Sequence, residues 1–308
     1  MDLSLHRLKL LRELERRGTV TAAAQALNYT VSAVSQQLAL LERDAGTTLF
    51  EKRGRRMVLT EAGVVLAEHA EEILGAVDRA GVALEAVRGG MAATLTVGVW
   101  ASVAAGLVPR ALNILAEQQP GIEVLTKELA PEDTAGAVRD GDLDFSFVID
   151  YSNYPMPWDP QLTRQVIAVE QMHAALPPHS YDGSSVSLAD LADFRWILSG
   201  PRSHFGRAVR MACRSSGFDP KIRHEVGEQA TALAMVASGL GVTLVSDLGL
   251  HMLPAGIDIV PLDDQFFRTV SVAHRTRGEV RASLQLVVGA VTEAARELGL
   301  EDGSAVSA

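Results

Sequence analysis

The stretch "TVTAAAQALNYTVSAVSQQLALLE", residues 19–42, decides how the N-terminal part of this 308-residue chain folds. Thr21 can cap a short helix whose Ala23, Ala24 and Leu27 face inward, and Asn28-Tyr29 supplies the turn that ends it. Thr30 or Ser32 then caps a further helix running to about Asp44, where Gly46 stops it. Val34, Leu38 and Leu41 recur at i, i+4, i+7 and form its buried stripe. Ser32, Ser35, Gln36, Ala39 and Arg43 fall on the opposite side. Residues 30–41 hold neither Lys nor Glu, unlike an ordinary solvated helix face. Such side chains suit the major groove of DNA. Gln bonds bidentately to adenine N6 and N7, Ser and Thr take base edges or phosphate, and Ala and Val methyls pack on thymine methyls. Thr30, Ser32, Ala33, Ser35, Gln36 and Gln37, with Thr21 from the preceding helix, are therefore the candidate groove-facing residues.

On the N-terminal side, residues 3–17 read as a helix with Leu8, Leu11 and Leu14 on one face and Gly18 as its stop. On the other side, "EKRGRRMVLT", residues 51–60, places Gly54 between Arg53 and Arg55-Arg56. Short strands flanking Gly54 make a hairpin held by Leu49, Phe50, Val58 and Leu59, the wing of a winged helix-turn-helix. Arg53, Arg55 and Arg56 are its candidate phosphate or minor-groove contacts, supplying affinity without sequence information. A long helix opens at Thr60-Glu61-Ala62-Gly63 and runs to about Arg88. Leu66, Ala70, Ile73, Val77, Ala80, Leu84 and Val87 recur at alternating steps of four and three, a heptad stripe that must be buried. Self-association is the expected burial, since Gly89-Gly90 then breaks the chain as a linker would.

The charge distribution agrees with this division. The formal net charge is −10, yet residues 1–60 carry ten Lys or Arg against six Asp or Glu, leaving −14 on the remainder. A basic head on an acidic body is expected where one module meets a polyanion and the other does not. The single cysteine, Cys213, excludes an internal disulfide and a Cys-based metal cluster, and reads as a small apolar helix residue. Asp2, Glu13 and Glu15 interrupt any leader, so a cytoplasmic protein is expected. The uncharged run Gln229–Ser246 is punctuated by Thr231, Ser238, Gly239 and Gly241 and reads as a buried helix, turn and strand, with no membrane span.

From Thr94 onward strands alternate with helices. "TLTVGV" precedes a helix from about Ser102 to Gln119, then come strand "IEVLTKEL", a helix over 133–140 and strand "LDFSFVI". "NYPMPWDP" reads as loop, "MHAALP" and "RWILSG" as strands. Helix 203–216, strand 222–226, helix 229–238, strands 241–245, 256–261 and "RTVSVAHR", and helix 279–298 follow. The alternation predicts parallel sheets with helices on both faces, in two α/β subdomains. The eight His residues show no metal-ligand spacing, and HExxH, GxSxG, Walker A and strand-borne GxGxxG motifs are missing. No catalytic residue, metal or cofactor is assigned. An alternative reading is a small-molecule-binding protein whose N-terminal helices make only protein contacts; a third is an enzyme in the α/β part.

In its first 63 residues the chain resembles the LysR-type transcriptional regulators. The resemblance is carried by Thr21-Ala22-Ala23-Ala24-Gln25-Ala26-Leu27, Ser35-Gln36-Gln37-Leu38, Leu49-Phe50-Glu51-Lys52-Arg53 and Leu59-Thr60-Glu61-Ala62-Gly63. It continues more loosely through Leu107-Val108-Pro109, Gly141-Asp142-Leu143-Asp144 and Gly239-Leu240-Gly241-Val242. The chain departs from the family at Thr30-Val31-Ser32, where Ser-Gln-Pro is frequent, and at Ser246-Asp247, where a proline is usual. The resemblance implies an α+β multidomain protein. A winged helix-turn-helix over 1–60 and a linker dimerisation helix over 61–90 precede a periplasmic-binding-protein-like effector domain over 91–300. That domain divides into subdomain I (94–168 and 268–298) and subdomain II (169–267), and residues 301–308 form a disordered tail. It implies sequence-specific binding of double-stranded DNA as a dimer or tetramer, with RNA polymerase a further partner and a small-molecule effector between the subdomains. The implied cleft is lined by Trp100, Ala101 and Ser102, by Ile149 and Asp150, by Ser199, Gly200, Arg202 and Ser203, and by Gln229. Helix N-termini there would favour a carboxylate, which Arg202 could pair.

Overall fold

Helix punctuation sets the first unit. In a computed structural model, which describes residues 3–27, 29–53, 56–87, 93–276 and 282–300, the chain divides into two compact units, 1–90 and 91–308. The Gly89-Gly90 break and the tail over 301–308 lie outside the described residues. Helix α1 (Leu5–Arg17) stops at Gly18, whose φ of 69° is the left-handed conformation glycine adopts without steric cost. Helix α2 (Val20–Ala26) is capped by Thr19, whose Oγ1 accepts from the Ala22 N–H at 3.2 Å. Thr21 is thus not the cap expected from sequence; it lies inside the first turn, exposed. The cap must precede the first helical φ/ψ pair, and Thr19, with ψ of 144°, is the extended residue. Helix α3 (Val31–Ala45) is capped by Thr30, whose Oγ1 accepts from the Ala33 N–H at 3.2 Å, and ends at Gly46.

Strands β1 (Phe50–Arg53) and β2 (Arg56–Leu59) pair antiparallel, and helix α4 (Glu61–Val87) follows. Leu8, Leu11 and Leu14 of α1, Ala23 and Ala24 of α2, and Val34, Leu38 and Leu41 of α3 are all buried, packed with Ala67, Ala70 and Leu74 of α4. Fully burying one such leucine contributes roughly 1.5–3 kcal/mol. Glu42 Oε1 accepts from the Leu49 and Phe50 N–H groups at 2.8 and 3.0 Å, tying α3 to the hairpin. At Gly63 a Cβ would collide with the Leu49 carbonyl oxygen, so only glycine lets α4 pass this close to the chain entering β1.

The second unit is a two-lobed α/β body. Strand β3 (Ala93–Val99) leads into α5 (Ala101–Gly106) and α6 (Val108–Gln118). One helix was expected over 102–119. The break at Leu107 precedes Pro109, which has no N–H for the preceding turn and whose ring crowds its carbonyl. Strand β4 (Ile122–Glu128), α7 (Pro131–Arg139), β5 (Phe145–Tyr151) and the long β6 (Leu162–Leu176) come next. Then follow β7 (Arg195–Leu198), α8 (His204–Ser215), β8 (Lys221–Glu225), α9 (Gln229–Ala237), β9 (Thr243–Ser246), β10 (Asp258–Pro261), β11 (Phe267–Arg275) and α10 (Ala282–Glu297).

The main sheet has the order β10-β6-β11-β5-β3-β4, with β9 also on β6. Only β3–β4, β3–β5 and the separate pair β7–β8 are parallel among the described strands; β11 pairs antiparallel with both β5 and β6. The centre of the body is therefore antiparallel, because β6 and β11 are entered from loops instead of crossover helices. Strand β6 was expected only over its last residues. Its first half, "LTRQVIAVEQ", is largely polar on its exposed face and signals a strand weakly. Residues 162–171 pair with β11 in one lobe, and 172–176 pair with β9 and β10 in the other. This strand joins the lobes.

Candidate nucleic-acid interface and ligand cleft

The outer face of α3 is uncharged over its first three turns. Ser32, Gln36 and Ala39 are exposed, Ala33 and Ser35 are half-buried, and Arg43 is exposed at the far end. Val31, at 45% exposure, adds an apolar group to that face, and Tyr29 beside it packs edge-on against His6 with ring centroids 5.5 Å apart. Neither residue is placed on the surface by sequence; an apolar side chain at a helix start gives no sign of the side it takes. Gln37 turns elsewhere. Its Oε1 accepts from Arg7 Nε at 3.2 Å, and Arg7 also pairs with Asp44, so Gln37 helps hold α1 on α3. Arg53 and Arg56 are directly opposed at the turn end of the hairpin. Arg55 and the side chains of Arg53 and Arg56 lie outside the described residues.

The heptad stripe of α4 divides in two. Ala70 is buried against the head together with Ala67 and Leu74, and Leu66 is half-buried there. Ile73, Val77 and Ala80 are exposed; the side chains of Leu84 and Val87 lie outside the described residues. A strict seven-residue repeat drifts about 20° per heptad around a straight helix, so a stripe that begins against the core rotates away from it. Near its start α4 also borders an apolar groove of about 410 Å³ formed with Ala45, Thr47 and Leu49.

Within the second unit, a cleft of about 810 Å³ opens between the lobes. Trp100, Ala101 and Ser102 line it from the start of α5, and Ile149 from β5. Ser199, Arg202 and Ser203 line it from the loop before α8, and Gln229 from the start of α9. Asp150 and Gly200 do not. Alternation along β5 sends Ile149 and Tyr151 to the cleft and Asp150 to the other side, where it accepts from the Met156 N–H at 2.8 Å and pairs with Arg164. Gly200 faces Glu225, whose Oε1 would lie 2.7 Å from a Cβ there.

The floor of the cleft holds a pair that sequence reasoning missed. Arg268 on β11 and Glu170 on β6 are direct partners across the ladder, and both are buried. Arg268 Nε donates to Glu170 Oε2 at 2.6 Å and Nη2 donates to Ser102 Oγ at 3.1 Å. Glu170 Oε1 accepts from the Leu248 N–H at 2.7 Å. Burial alone would drive the Arg268 pKa down, but Glu170 alongside outweighs it and the net shift is upward. Burial also pushes the neighbouring Tyr151 hydroxyl up to about 12, so it stays protonated. No sequence signal marks such a pair, because strand register is not written locally.

Two helix N-termini at the cleft are filled by the protein's own carboxylates. Glu132, from α7, accepts the His204 N–H at the start of α8, beside the Ser203 cap. Burial lowers the His204 pKa, partly offset by Glu132, which favours a neutral imidazole. Glu228 caps α9, accepting from the Ala230 and Thr231 N–H groups at 2.9 and 2.6 Å. Burial raises its pKa, but those N–H groups outweigh that and hold it below the usual carboxylate value. Cys213 is buried in α8, and burial pushes its thiol up to about 12, so it carries no thiolate at neutral pH. Among the described residues no cluster of His, Cys, Asp and Glu is placed to hold a metal ion, and no helix is long and apolar enough to cross a membrane.

Residues 5–64 match the family model described as bacterial regulatory helix-turn-helix protein, lysR family, and residues 88–296 match the LysR substrate binding domain. The transcriptional dual regulator GltC of Bacillus subtilis is 28% identical over 250 residues, covering 80% of this chain and 81% of the relative. A full-length OxyR variant from Pseudomonas aeruginosa superposes with a TM-score of 0.69 at 21% identity, covering 94% of this chain and 95% of that one. Full-length CbnR complexed with target DNA superposes with a TM-score of 0.56 at 22% identity, covering 96% and 99%.

Proposed function

Because the chain belongs to the LysR family of DNA-binding, effector-controlled transcriptional regulators, we propose which of its residues perform each part of that work. Ser32 and Gln36 on α3 read base edges, Val31 packs on a thymine methyl, and Thr30 serves as the cap that fixes the helix at the groove. Arg53, Arg55 and Arg56 of the wing hold phosphates. Ile73, Val77 and Ala80 of α4, continued by Leu84 and Val87, bury one another in a homodimer that can assemble further into a tetramer. The observation that carries this reading is the uncharged face of α3, with Ser32 and Gln36 exposed, above the apolar stripe of Val34, Leu38 and Leu41. An ammonium there would grip any phosphate, whereas an amide can prefer a base.

The cleft of the second unit is the effector site, and its occupancy shifts the population of lobe arrangements instead of driving chemistry. The protein acts in the cytoplasm, on promoters engaged by RNA polymerase. A salt titration tests the DNA part. Affinity should fall steeply and linearly on a log–log plot as phosphate-bound counterions are released. Binding that hardly changes with salt would leave the head a protein-contact module. For the dimer, Ile73→Asp should give monomers in sedimentation, and an unchanged mass would remove α4 from the interface.

A further inference from the structure

The cleft carries negative charge that its own helices do not absorb. Glu128, Glu132, Asp133 and Glu228 line it, against Arg202 and Arg268. Arg268 is neutralised by Glu170 directly behind the wall. Arg202 is then, among the described residues, the one lining guanidinium left to face a ligand. The N-termini of α8 and α9, where an incoming carboxylate would have sat, already hold Glu132 and Glu228. The first turn of α7 carries Glu132 and Asp133. Crediting each of these three helix ends with about half a positive charge still leaves the cleft negative.

The rest of the wall fits an apolar body. Ile149, Met172 and Phe205 line the cleft beside Tyr151 and Trp100. Trp100 is only 7% exposed, and its indole Nε1 is buried with no hydrogen-bond partner. The volume of about 810 Å³ is that of a small-molecule site.

We propose that the ligand of this cleft is a small organic cation, an apolar body bearing an ammonium-type group set against Glu132 and Asp133. The proposal rests on the cleft being the effector site. An ammonium at Glu132 shares the carboxylate that accepts the His204 N–H, which couples ligand binding to the contact between α7 and α8.

Three probes that differ mainly in charge test it on the full-length protein by calorimetry: L-phenylalaninamide (cationic), N-acetyl-L-phenylalaninamide (neutral) and N-acetyl-L-phenylalanine (anionic). The amine is expected to bind about tenfold tighter than the acid, the scale of one partly screened charge contact. Glu132→Gln and Asp133→Asn should each shrink that preference, and Arg202→Ala should widen it. Acid binding as tightly as amine, no binding by any of the three, or a preference unchanged in both acidic variants would overturn the proposal. Salt-dependent DNA binding is measured on the same preparation. If it persists while the charge preference fails, the ligand class is wrong and the regulator reading stands.

Discussion

The outer face of α3 and the cleft of the second unit both place hydrogen-bonding groups over an apolar floor, but they are assembled over very different distances along the chain. On α3 one helical period sorts everything: Val34, Leu38 and Leu41 go in, and Ser32 and Gln36 go out. In the cleft, Arg268 meets Glu170 across 98 positions and Ser102 across 166, while Glu132 reaches His204 across 72. A face built by local period tolerates change residue by residue. One built by long-range pairing does not, since each group is buried on the strength of its partner.

Glu170→Ala should break the cleft side of this comparison with the largest effect. It strands the Arg268 guanidinium in a buried site and frees the Leu248 N–H. Removing one partner of a buried ion pair costs about 3–5 kcal/mol, read as a lower midpoint in urea unfolding of the full chain. The double variant Glu170→Met/Arg268→Met should recover much of that loss, because a pair replaced by apolar groups leaves no orphaned charge. A single variant as stable as the parent would mean water reaches the pair.

Neighbouring glutamines on α3 sharpen the other side. Gln36→Ala should cost about 1–3 kcal/mol on the cognate site and little on unrelated DNA, measured by fluorescence anisotropy. Gln37→Ala removes the Arg7 hydrogen bond and should instead cost about 1 kcal/mol of stability, leaving the preference between DNA sequences intact. Equal losses on every DNA for Gln36→Ala would remove it from base readout. The two side chains are adjacent and chemically identical; only the face differs.

These contrasts explain what the sequence displays and what it conceals. Helices α1 to α3 and their buried leucines and alanines follow from spacings of three and four residues, and the stops of α1 and α3 from Gly18 and Gly46. The lobed α/β body follows from strand–helix alternation and from the family resemblance. That resemblance also supplied Trp100, Ser102, Ser199 and Gln229 at the cleft. Asp150 and Gly200 were misplaced because a loop or strand end does not reveal which way its side chain turns. Arg268, Glu170 and Glu132 were silent because they are ordinary charged residues in sequence, and only register and lobe packing make partners of them. The same holds for β6, whose polar first half becomes a strand only once β11 lies beside it.

The smallest effect falls on the helix start where the sequence offers two equivalent threonines. Thr19 precedes α2 and accepts the Ala22 N–H; Thr21 lies one position inside the helix and is exposed. Replacing a capping threonine by alanine leaves an N–H of the first turn without its protein acceptor, at a cost of about 1 kcal/mol. Thr21→Ala removes a β-branched residue from a helical position and should be neutral or slightly stabilising. Thermal unfolding of the two variants decides between them. A loss at Thr21 with none at Thr19 would move the start of α2 by two residues.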